Sequence, residues 1–189
     1  IYIFMFLMIF LLNTKKSIIA LFILLPVYLI LAIAVWYSSK GPILYKQERV
    51  GRLRKKFFIY KFRSMVQNAE SNGPQLSSTL DPRITQVGKI MRKTRLDEIP
   101  QFINVLTGEM SIVGPRPAVF DEIDRYENWH RKRLSVRPGI TGPWQLTDRL
   151  SIDFDERIRL DLNYIETQSF LKDLIIILRT PVAMIKNKS

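Results

Sequence analysis

A long uncharged segment, Ile18 to Tyr37, most constrains how this chain of 189 residues can fold. A helix of roughly 20 apolar residues crosses a bilayer, so the segment is long enough to span one. Basic residues lie on both sides of it, with Lys15 and Lys16 before and Lys40 after. Because Lys and Arg next to a span favour the cytoplasmic side, one straight span cannot satisfy both ends.

Pro26 lies near the middle of this segment. Proline in an ordinary helix interior removes a hydrogen bond and costs about 3 kcal/mol. Two interpretations stay open from the residues alone. Either the helix breaks at Pro26, enters the membrane and returns to the same face, or a kinked helix spans the bilayer. A shorter apolar run, residues 1–12, is interpreted as the end of a longer membrane region or as an interfacial segment.

Charge is distributed unevenly along the chain, which carries 29 Lys and Arg against 17 Asp and Glu, a formal net charge of +12. Nine of these basic residues lie between positions 40 and 63, where Glu48 is the only acid. A polybasic stretch beside a membrane segment is attracted to anionic headgroups. The excess charge predicts an anionic partner, and a phosphorylated substrate, an anionic lipid and nucleic acid all fit that description.

The chain has no Cys and one His. It therefore excludes a disulfide scaffold, an iron–sulfur cluster, a thiolate nucleophile and a Cys-based zinc site. Any chemistry must come from carboxylates, Lys, Arg, hydroxyls or a hard metal ion. The one histidine, His130, lies in a charged stretch and is interpreted as a solvated surface residue.

We predict an α+β fold that is mainly helical, in three parts. These are an apolar N-terminal segment (1–14), a membrane helix (15–40), re-entrant on the first of the two interpretations above, and a compact domain (41–189). Two β-prone runs, 43–45 and 57–62, flank the turn at Gly51 and predict a β-hairpin. Loops are expected at 67–83, 114–117 and 137–143. Helices are predicted at 84–95, 100–106, 119–135, 153–164 and 170–186, the last interrupted at Pro181.

Two adjacent acids, Asp97 and Glu98, stand out because basic residues crowd the positions just before them. A carboxylate at a helix N-terminus among cations stays ionised. Such a pair could hold Mg²⁺, attack phosphorus or cap the helix, and spacing alone leaves all three open.

Arg116, between two prolines, and Arg137, before Pro138, lie on stiff turns. A guanidinium on a stiff backbone binds phosphate with little ordering cost, so a diphosphate with a divalent ion would match this set.

Six motifs then appear in order between residues 39 and 142, and the resemblance that they carry covers roughly residues 15–185. They are Ser39-Lys40-Gly41-Pro42, Gln47-Glu48-Arg49-Val50-Gly51, Tyr60-Lys61-Phe62-Arg63-Ser64-Met65, Leu96-Asp97-Glu98-Ile99-Pro100-Gln101, Met110-Ser111-Ile112-Val113-Gly114-Pro115-Arg116-Pro117 and Arg137-Pro138-Gly139-Ile140-Thr141-Gly142. Together they closely resemble the bacterial sugar transferases, the monotopic phosphoglycosyl transferases that start glycan assembly on a polyprenol phosphate.

The resemblance implies a reaction in which a sugar-1-phosphate moves from a UDP-sugar to undecaprenyl phosphate, with release of UMP and a requirement for Mg²⁺. It implies that Asp97 is the nucleophile, forms a covalent phosphosugar intermediate and is a ligand of Mg²⁺, with Glu98 as its catalytic partner. The substrate-binding residues that it implies are Lys61, Arg63, Arg92, Arg116 and Arg137.

The same resemblance implies a membrane helix broken at Pro26, amphipathic interfacial helices and a catalytic domain on the cytoplasmic face of the bacterial inner membrane. Leu25 stands where the family usually has Ser before this proline. The expected partners are a UDP-sugar, undecaprenyl phosphate and the lipid bilayer, with no nucleic acid; a homo-oligomer stays open. Exopolysaccharide, O-antigen and glycoprotein glycan assembly are all compatible with this reaction.

A rival hypothesis is a membrane-tethered basic protein that binds anionic lipid or nucleic acid without catalysis. It predicts salt-sensitive binding that does not depend on Asp97 or Glu98. An inactive relative that serves as a scaffold is a third hypothesis. The position of the densest charge, directly beside the membrane segment, disfavours nucleic acid.

Overall fold

The computed structural model describes residues 17–69, 81–147 and 152–186. Its α-helices are α1 (Ser17–Ser38), α2 (Gln86–Thr94), α3 (Phe102–Leu106), α4 (Phe120–Ile123), α5 (Phe154–Thr167) and α6 (Phe170–Lys186). Its strands are β1 (Leu44–Val50), β2 (Lys56–Phe62), β3 (Ser111–Val113) and β4 (Gly139–Thr141). Short 3-10 helices span Arg52–Arg54, Leu96–Gln101, His130–Ser135 and Pro143–Leu146. The mainly helical α+β prediction is confirmed. The run at 1–12, Lys15, Lys16 and loop positions 70–80 lie outside the described residues.

The predicted hairpin is confirmed. Strands β1 and β2 pair antiparallel, with Leu44 opposite Phe62 and Val50 opposite Lys56. Side chains of a strand alternate between faces, and here Phe57 and Ile59 are buried while Phe58 is exposed. The hairpin therefore buries one face against the rest of the domain and leaves the other open.

The segment 137–143, predicted as a loop, contains strand β4, which pairs parallel with β3. Glycine explains this close pairing. A Cβ on Gly139 would lie 2.2 Å from the backbone nitrogen of Gly114, a separation that only a residue without a side chain tolerates. In the sequence, Gly114 and Gly139 indicate turns. In the structure they allow their two backbone segments to approach each other closely.

The single helix predicted over 119–135 is wrong, because the chain forms α4, a turn and the 3-10 helix His130–Ser135 instead. Inward-facing polar side chains explain the break. His130 and Arg133 are buried, and the Nδ1 atom of His130 accepts a hydrogen bond from the backbone N–H of Glu127 at 3.0 Å. The expectation that His130 is a solvated surface residue is therefore also wrong.

Helix α1 continues through Pro26 to Ser38, so the proline does not end it, and α6 likewise continues through Pro181. The predicted interruption at Pro181 is wrong, whereas the re-entrant path of α1 stays a prediction. Near its C-terminal end α1 packs through Val35 against Phe62 of β2 and Met91 of α2. Within the described ranges, no helix combines the length and the apolar character needed to cross a membrane.

The largest buried cluster lies behind the acid pair. Its buried members come from β2, the 3-10 helix Leu96–Gln101, α3, β3, β4, α5 and α6 and include Ile59, Ile99, Ile112, Tyr164 and Ile177. Ile99 is only 1% exposed and follows Glu98 directly. Because Ile99 anchors the 3-10 helix in this core, the two acids are held in a fixed position at its edge.

Candidate active site

The acid pair lies inside the 3-10 helix Leu96–Gln101, not before a helix that begins at Pro100 as predicted. Arg95 causes this difference. It joins α2 to the 3-10 helix in the left-handed conformation, with φ 55°, and its backbone N–H bonds to the carbonyl of Arg92. The chain turns sharply at Arg95 and brings Asp97 and Glu98 against strand β2, which supplies Lys61.

Glu98 is the acid of the pair that forms ion pairs with the neighbouring cations. Its Oε1 atom lies 2.9 Å from the Nζ atom of Lys61, and the Nη1 atom of Arg95 lies 3.5 Å from both carboxylate oxygens. Burial alone would raise the pKa of Glu98. The attraction of Lys61, Arg95 and Arg116 outweighs burial and holds the pKa of Glu98 well below its ordinary value. Glu98 is therefore an anion at any physiological pH.

Asp97 behaves in the opposite way. It is buried, and its Oδ1 atom has no hydrogen-bond partner among the described residues. Burial and the negative charge of Glu98 raise the pKa of Asp97 to about 6, although Lys61, Arg95 and Arg92 partly offset them. The surrounding cations thus lower the pKa of Glu98 but do not offset burial at Asp97, because the ion pairs form on Glu98.

Arg92 lies on α2 close enough to Asp97 to act on its charge. Its Nε atom donates to the hydroxyl of Ser64 at 2.8 Å, which ties α2 to the end of β2. Ser64 is buried and belongs to the Tyr60–Met65 motif, yet sequence reasoning gave it no role. The only signal that could have found Ser64 is its place in that motif.

Arg116 lies on the predicted rigid turn between Pro115 and Pro117 and is one of the cations that lower the pKa of Glu98. Its guanidinium carbon lies 5.8 Å from the ring centroid of Trp144, within the range of a cation–π interaction. Arg157 contacts the same ring at 5.7 Å. Trp144 therefore packs at the edge of the site, beside Arg116.

Two predicted site residues lie elsewhere. Arg63 is buried at the C-terminal end of α1, where its Nη2 atom donates to the carbonyl of Ser39 at 2.5 Å. Arg137 is exposed, and its guanidinium lies beside Gly108, just past the end of α3. Lys61, Arg92 and Arg116 thus surround the acid pair together with Arg95. Substrate binding by Arg63 and by Arg137 stays a prediction.

Metal ligation at this site would depend on few carboxylates. Across the described ranges, no group of three or more His, Cys, Asp or Glu side chains is placed to hold a metal ion. Mg²⁺ commonly uses one or two protein carboxylates and completes its shell with water and substrate phosphates. Asp97, with its buried unpartnered oxygen, supplies the hard donor that such a site requires.

Residues 6–187 match the sequence profile of the bacterial sugar transferases. The chain belongs to the bacterial sugar transferase family. It is 47% identical to the galactosyl transferase CpsE of Streptococcus agalactiae, over 74% of this chain and 34% of that protein. It is 41% identical to the UDP-N-acetylgalactosamine-undecaprenyl-phosphate N-acetylgalactosaminephosphotransferase of Aeromonas hydrophila, over 87% of this chain and 40% of that protein.

A shorter relative matches over most of its length. The exopolysaccharide production protein ExoY of Sinorhizobium fredii is 37% identical, over 87% of this chain and 79% of that protein. CpsE and the Aeromonas enzyme extend well beyond the matched region, since this sugar transferase chain spans 34% and 40% of them. Residues 6–187 of this chain, which match the family profile, include the acid pair and the cations around it.

The ion pair between Lys61 and Glu98 in this sugar transferase can be tested by measuring the free energy of unfolding. Replacing Lys61 by methionine is expected to lower the free energy of unfolding by about 2 kcal/mol, because the partly buried carboxylate of Glu98 loses its shortest ion pair. Lys56→Met is the matched control on the same strand, since Lys56 and Glu48 form an exposed pair at 3.7 Å. We expect less than about 1 kcal/mol there. Urea unfolding measures both, and equal losses would contradict the assignment.

Proposed function

We propose that this chain transfers a sugar-1-phosphate from a UDP-sugar to undecaprenyl phosphate and releases UMP. One observation carries the proposal: a buried carboxylate with an unpartnered oxygen, Asp97, lies beside a cation-bound Glu98 and within the field of Lys61, Arg92 and Arg95. A nucleophile among fixed cations is what phosphoryl transfer requires, since that chemistry depends on positioning and charge neutralisation. The names of two relatives, one from Aeromonas hydrophila and one from Salmonella typhimurium, include undecaprenyl phosphate and a phosphotransferase activity.

The reaction takes two steps. In the first, a carboxylate oxygen of Asp97 attacks the sugar-bearing phosphorus, the bond between the two phosphates breaks, and UMP leaves. In the second, a phosphate oxygen of undecaprenyl phosphate attacks the same phosphorus, the Asp97–phosphorus bond breaks, and the carboxylate is regenerated. Two displacements at one phosphorus conserve the sugar-1-phosphate unit and return the protein to its starting state.

The surrounding residues divide the remaining tasks. Arg92, Arg116 and Lys61 neutralise the diphosphate, and Glu98 holds Lys61 and Arg95 in place through its ion pairs. Asp97 would hold Mg²⁺ through its unpartnered oxygen, and Mg²⁺ when bound supplies further charge neutralisation on the diphosphate. With a pKa of about 6, Asp97 is mostly ionised at neutral pH and can act as a nucleophile.

The acceptor implies a membrane. Exposed apolar side chains on α1, including Ile30, Ile33, Trp36 and Tyr37, support contact with lipid. They support the proposal that α1 contacts the bacterial inner membrane, with the site on the cytoplasmic face. A return to that face at Pro26 would need a sharp bend within this continuous helix. The exposed basic residues of the 40–63 stretch, Lys40, Lys46, Arg52, Arg54, Lys55 and Lys56, would then lie against anionic headgroups.

The test uses membrane-embedded protein with radiolabelled UDP-sugars, undecaprenyl phosphate and Mg²⁺. We expect lipid-extractable label and an equal amount of UMP with one of the sugars, and loss of both on addition of a chelator. Asp97→Asn should abolish transfer, whereas Asp121→Asn, a change at an exposed acid of α4, should not. Transfer that survives Asp97→Asn would exclude Asp97 as the nucleophile. Vesicle binding without transfer of any sugar would support the binding-protein hypothesis.

A further inference from the structure

The turn that carries Arg116 is held at every carbonyl. The oxygens of Pro115, Arg116, Pro117 and Ala118 accept hydrogen bonds from four different donors on other elements. Two are backbone groups: Gly139 N–H donates to Pro115 at 2.8 Å, and Val50 N–H to Ala118 at 3.0 Å. The two prolines have no N–H of their own, so the carbonyls are the only backbone groups through which residues 115 and 117 can be fixed.

The two central carbonyls are held by buried guanidinium groups. The Nη2 atom of Arg133 donates to the carbonyl of Arg116 at 3.0 Å. The Nη1 atom of Arg49 donates to the carbonyl of Pro117 at 3.3 Å. Arg49 is 8% exposed and Arg133 6% exposed, so neither is a surface charge. Burying a guanidinium group costs free energy unless the group is paired. The pairing of both groups with carbonyls of the turn therefore indicates a structural role and not a role in solubility.

Arg133 is itself fixed by acids and a hydroxyl. Its Nε atom donates to Oδ2 of Asp161 on α5 at 2.7 Å, and its Nη1 atom donates to Oε1 of Glu122 and to the hydroxyl of Tyr126, both at 2.6 Å. Each nitrogen of this guanidinium therefore has a partner. A planar guanidinium whose three nitrogens are all hydrogen-bonded is fixed in one orientation. In that orientation Nη2 points at the carbonyl oxygen of Arg116.

We infer that Arg133 and Arg49 are positioning residues that fix the backbone of the Pro115-Arg116-Pro117 turn and thereby aim the Arg116 guanidinium at the substrate diphosphate beside Glu98. The inference rests on the proposed function for the identity of the ligand. Neither residue needs to touch substrate. Displacing a binding group by about 1 Å can cost about 100-fold in rate, so a fixed backbone at residue 116 matters for turnover.

A double-mutant cycle with Arg116 tests this role. Arg133→Lys keeps a cation beside Asp161 and removes the fork that reaches the Arg116 carbonyl. We expect it to lower kcat/KM for the UDP-sugar by about tenfold to 100-fold. In an Arg116→Met background the same change should cost less than about twofold, because the group that Arg133 positions is already gone. Arg131→Lys, at an exposed neighbour in the same 3-10 helix, is the matched control and should leave kcat/KM unchanged.

A purely structural role gives a different pattern. If Arg133 only stabilises the fold, its effect on kcat/KM is the same with and without Arg116, and additive effects overturn the inference. Arg49→Gln is a second variant, for the case that Arg133→Lys does not fold; it removes the donor to Pro117 and should show the same dependence on Arg116.

Calorimetric titration with UDP separates this inference from the proposed function. Weaker UDP binding in Arg133→Lys that disappears in the Arg116→Met background supports the positioning role, even in a protein that transfers no sugar. If the wild type transfers sugar phosphate and the cycle is additive, the positioning role is wrong and the proposed function stands.

Discussion

Replacing Asp97 by asparagine is expected to stabilise this protein while it abolishes transfer. Asp97 is buried, one of its oxygens lacks a partner among the described residues, and its pKa is raised to about 6. A carboxyl whose pKa is higher in the folded state stabilises the fold while it is protonated, below its unfolded pKa of about 4. That contribution is lost as the pH rises through about 6.

At pH 7 to 8 the ionised Asp97 therefore costs about 2 to 3 kcal/mol, which an asparagine does not. We expect Asp97→Asn to unfold at a higher urea concentration than the wild type at pH 7.5 in the presence of a chelator. The difference should shrink toward zero at pH 4, where Asp97 is protonated. The chelator matters because a bound cation would favour the ionised form.

The control for this prediction is Asp121→Asn, which changes an exposed acid and should leave the urea midpoint nearly unchanged at both pH values. A variant Asp97→Asn that is less stable than the wild type at pH 7.5 would show that the Asp97 carboxylate has a favourable partner in the folded state. A gain that does not depend on pH would point to a cause other than ionisation.

Replacing Gly88 by alanine is expected to destabilise the domain by about 2 to 3 kcal/mol, the usual result of overpacking a tight contact. A Cβ on Gly88 would lie 2.0 Å from the carbonyl oxygen of Ser64 and 2.8 Å from its carbonyl carbon. These are backbone atoms, so no side-chain rotation relieves the clash, and α2 must move away from β2. Without the clash, alanine would be the better helix former by about 1 kcal/mol.

The displacement of α2 has a consequence at the acid pair. Arg92 lies on the same helix and reaches Ser64 through the bond at 2.8 Å, so a shifted α2 moves Arg92 relative to Asp97. We expect Gly88→Ala to lower both the urea midpoint and the affinity for UDP. Lys89→Ala, at the exposed next position, is the control and should change neither. An unchanged or higher urea midpoint in Gly88→Ala would contradict the close approach of α2 to Ser64.

Local patterns predicted the elements that depend on nearest neighbours. The β-prone runs around Gly51 predicted the hairpin, and Asp153 predicted the start of α5, where its side chain accepts from the N–H of Glu156 at 2.7 Å. The prediction of one helix over 119–135 was wrong because the segment bends to make contacts that are distant in sequence, such as the pair of Arg133 with Asp161 on α5 at 2.7 Å. Strand β4 was missed because three residues beside a Gly–Gly contact have no periodic signal.

The sequence by itself determined which groups are available. It has an adjacent acid pair after a basic run, two arginines on proline turns, an apolar segment with basic flanks and no thiol chemistry. These features, with six ordered motifs, are enough to indicate the family. They depend only on residue identity and spacing, and the linear sequence contains both in full.

The tertiary structure alone decided how the two acids differ. Lys61 lies 37 positions before Glu98 and pairs with Glu98, whereas neighbouring Asp97 is buried with one oxygen unpartnered among the described residues. A pKa depends on distance through space and on access to water, and adjacent residues on a tight helix can point into different surroundings. The fold therefore lowers the pKa of Glu98 and raises the pKa of Asp97, although the two acids are neighbours in the sequence.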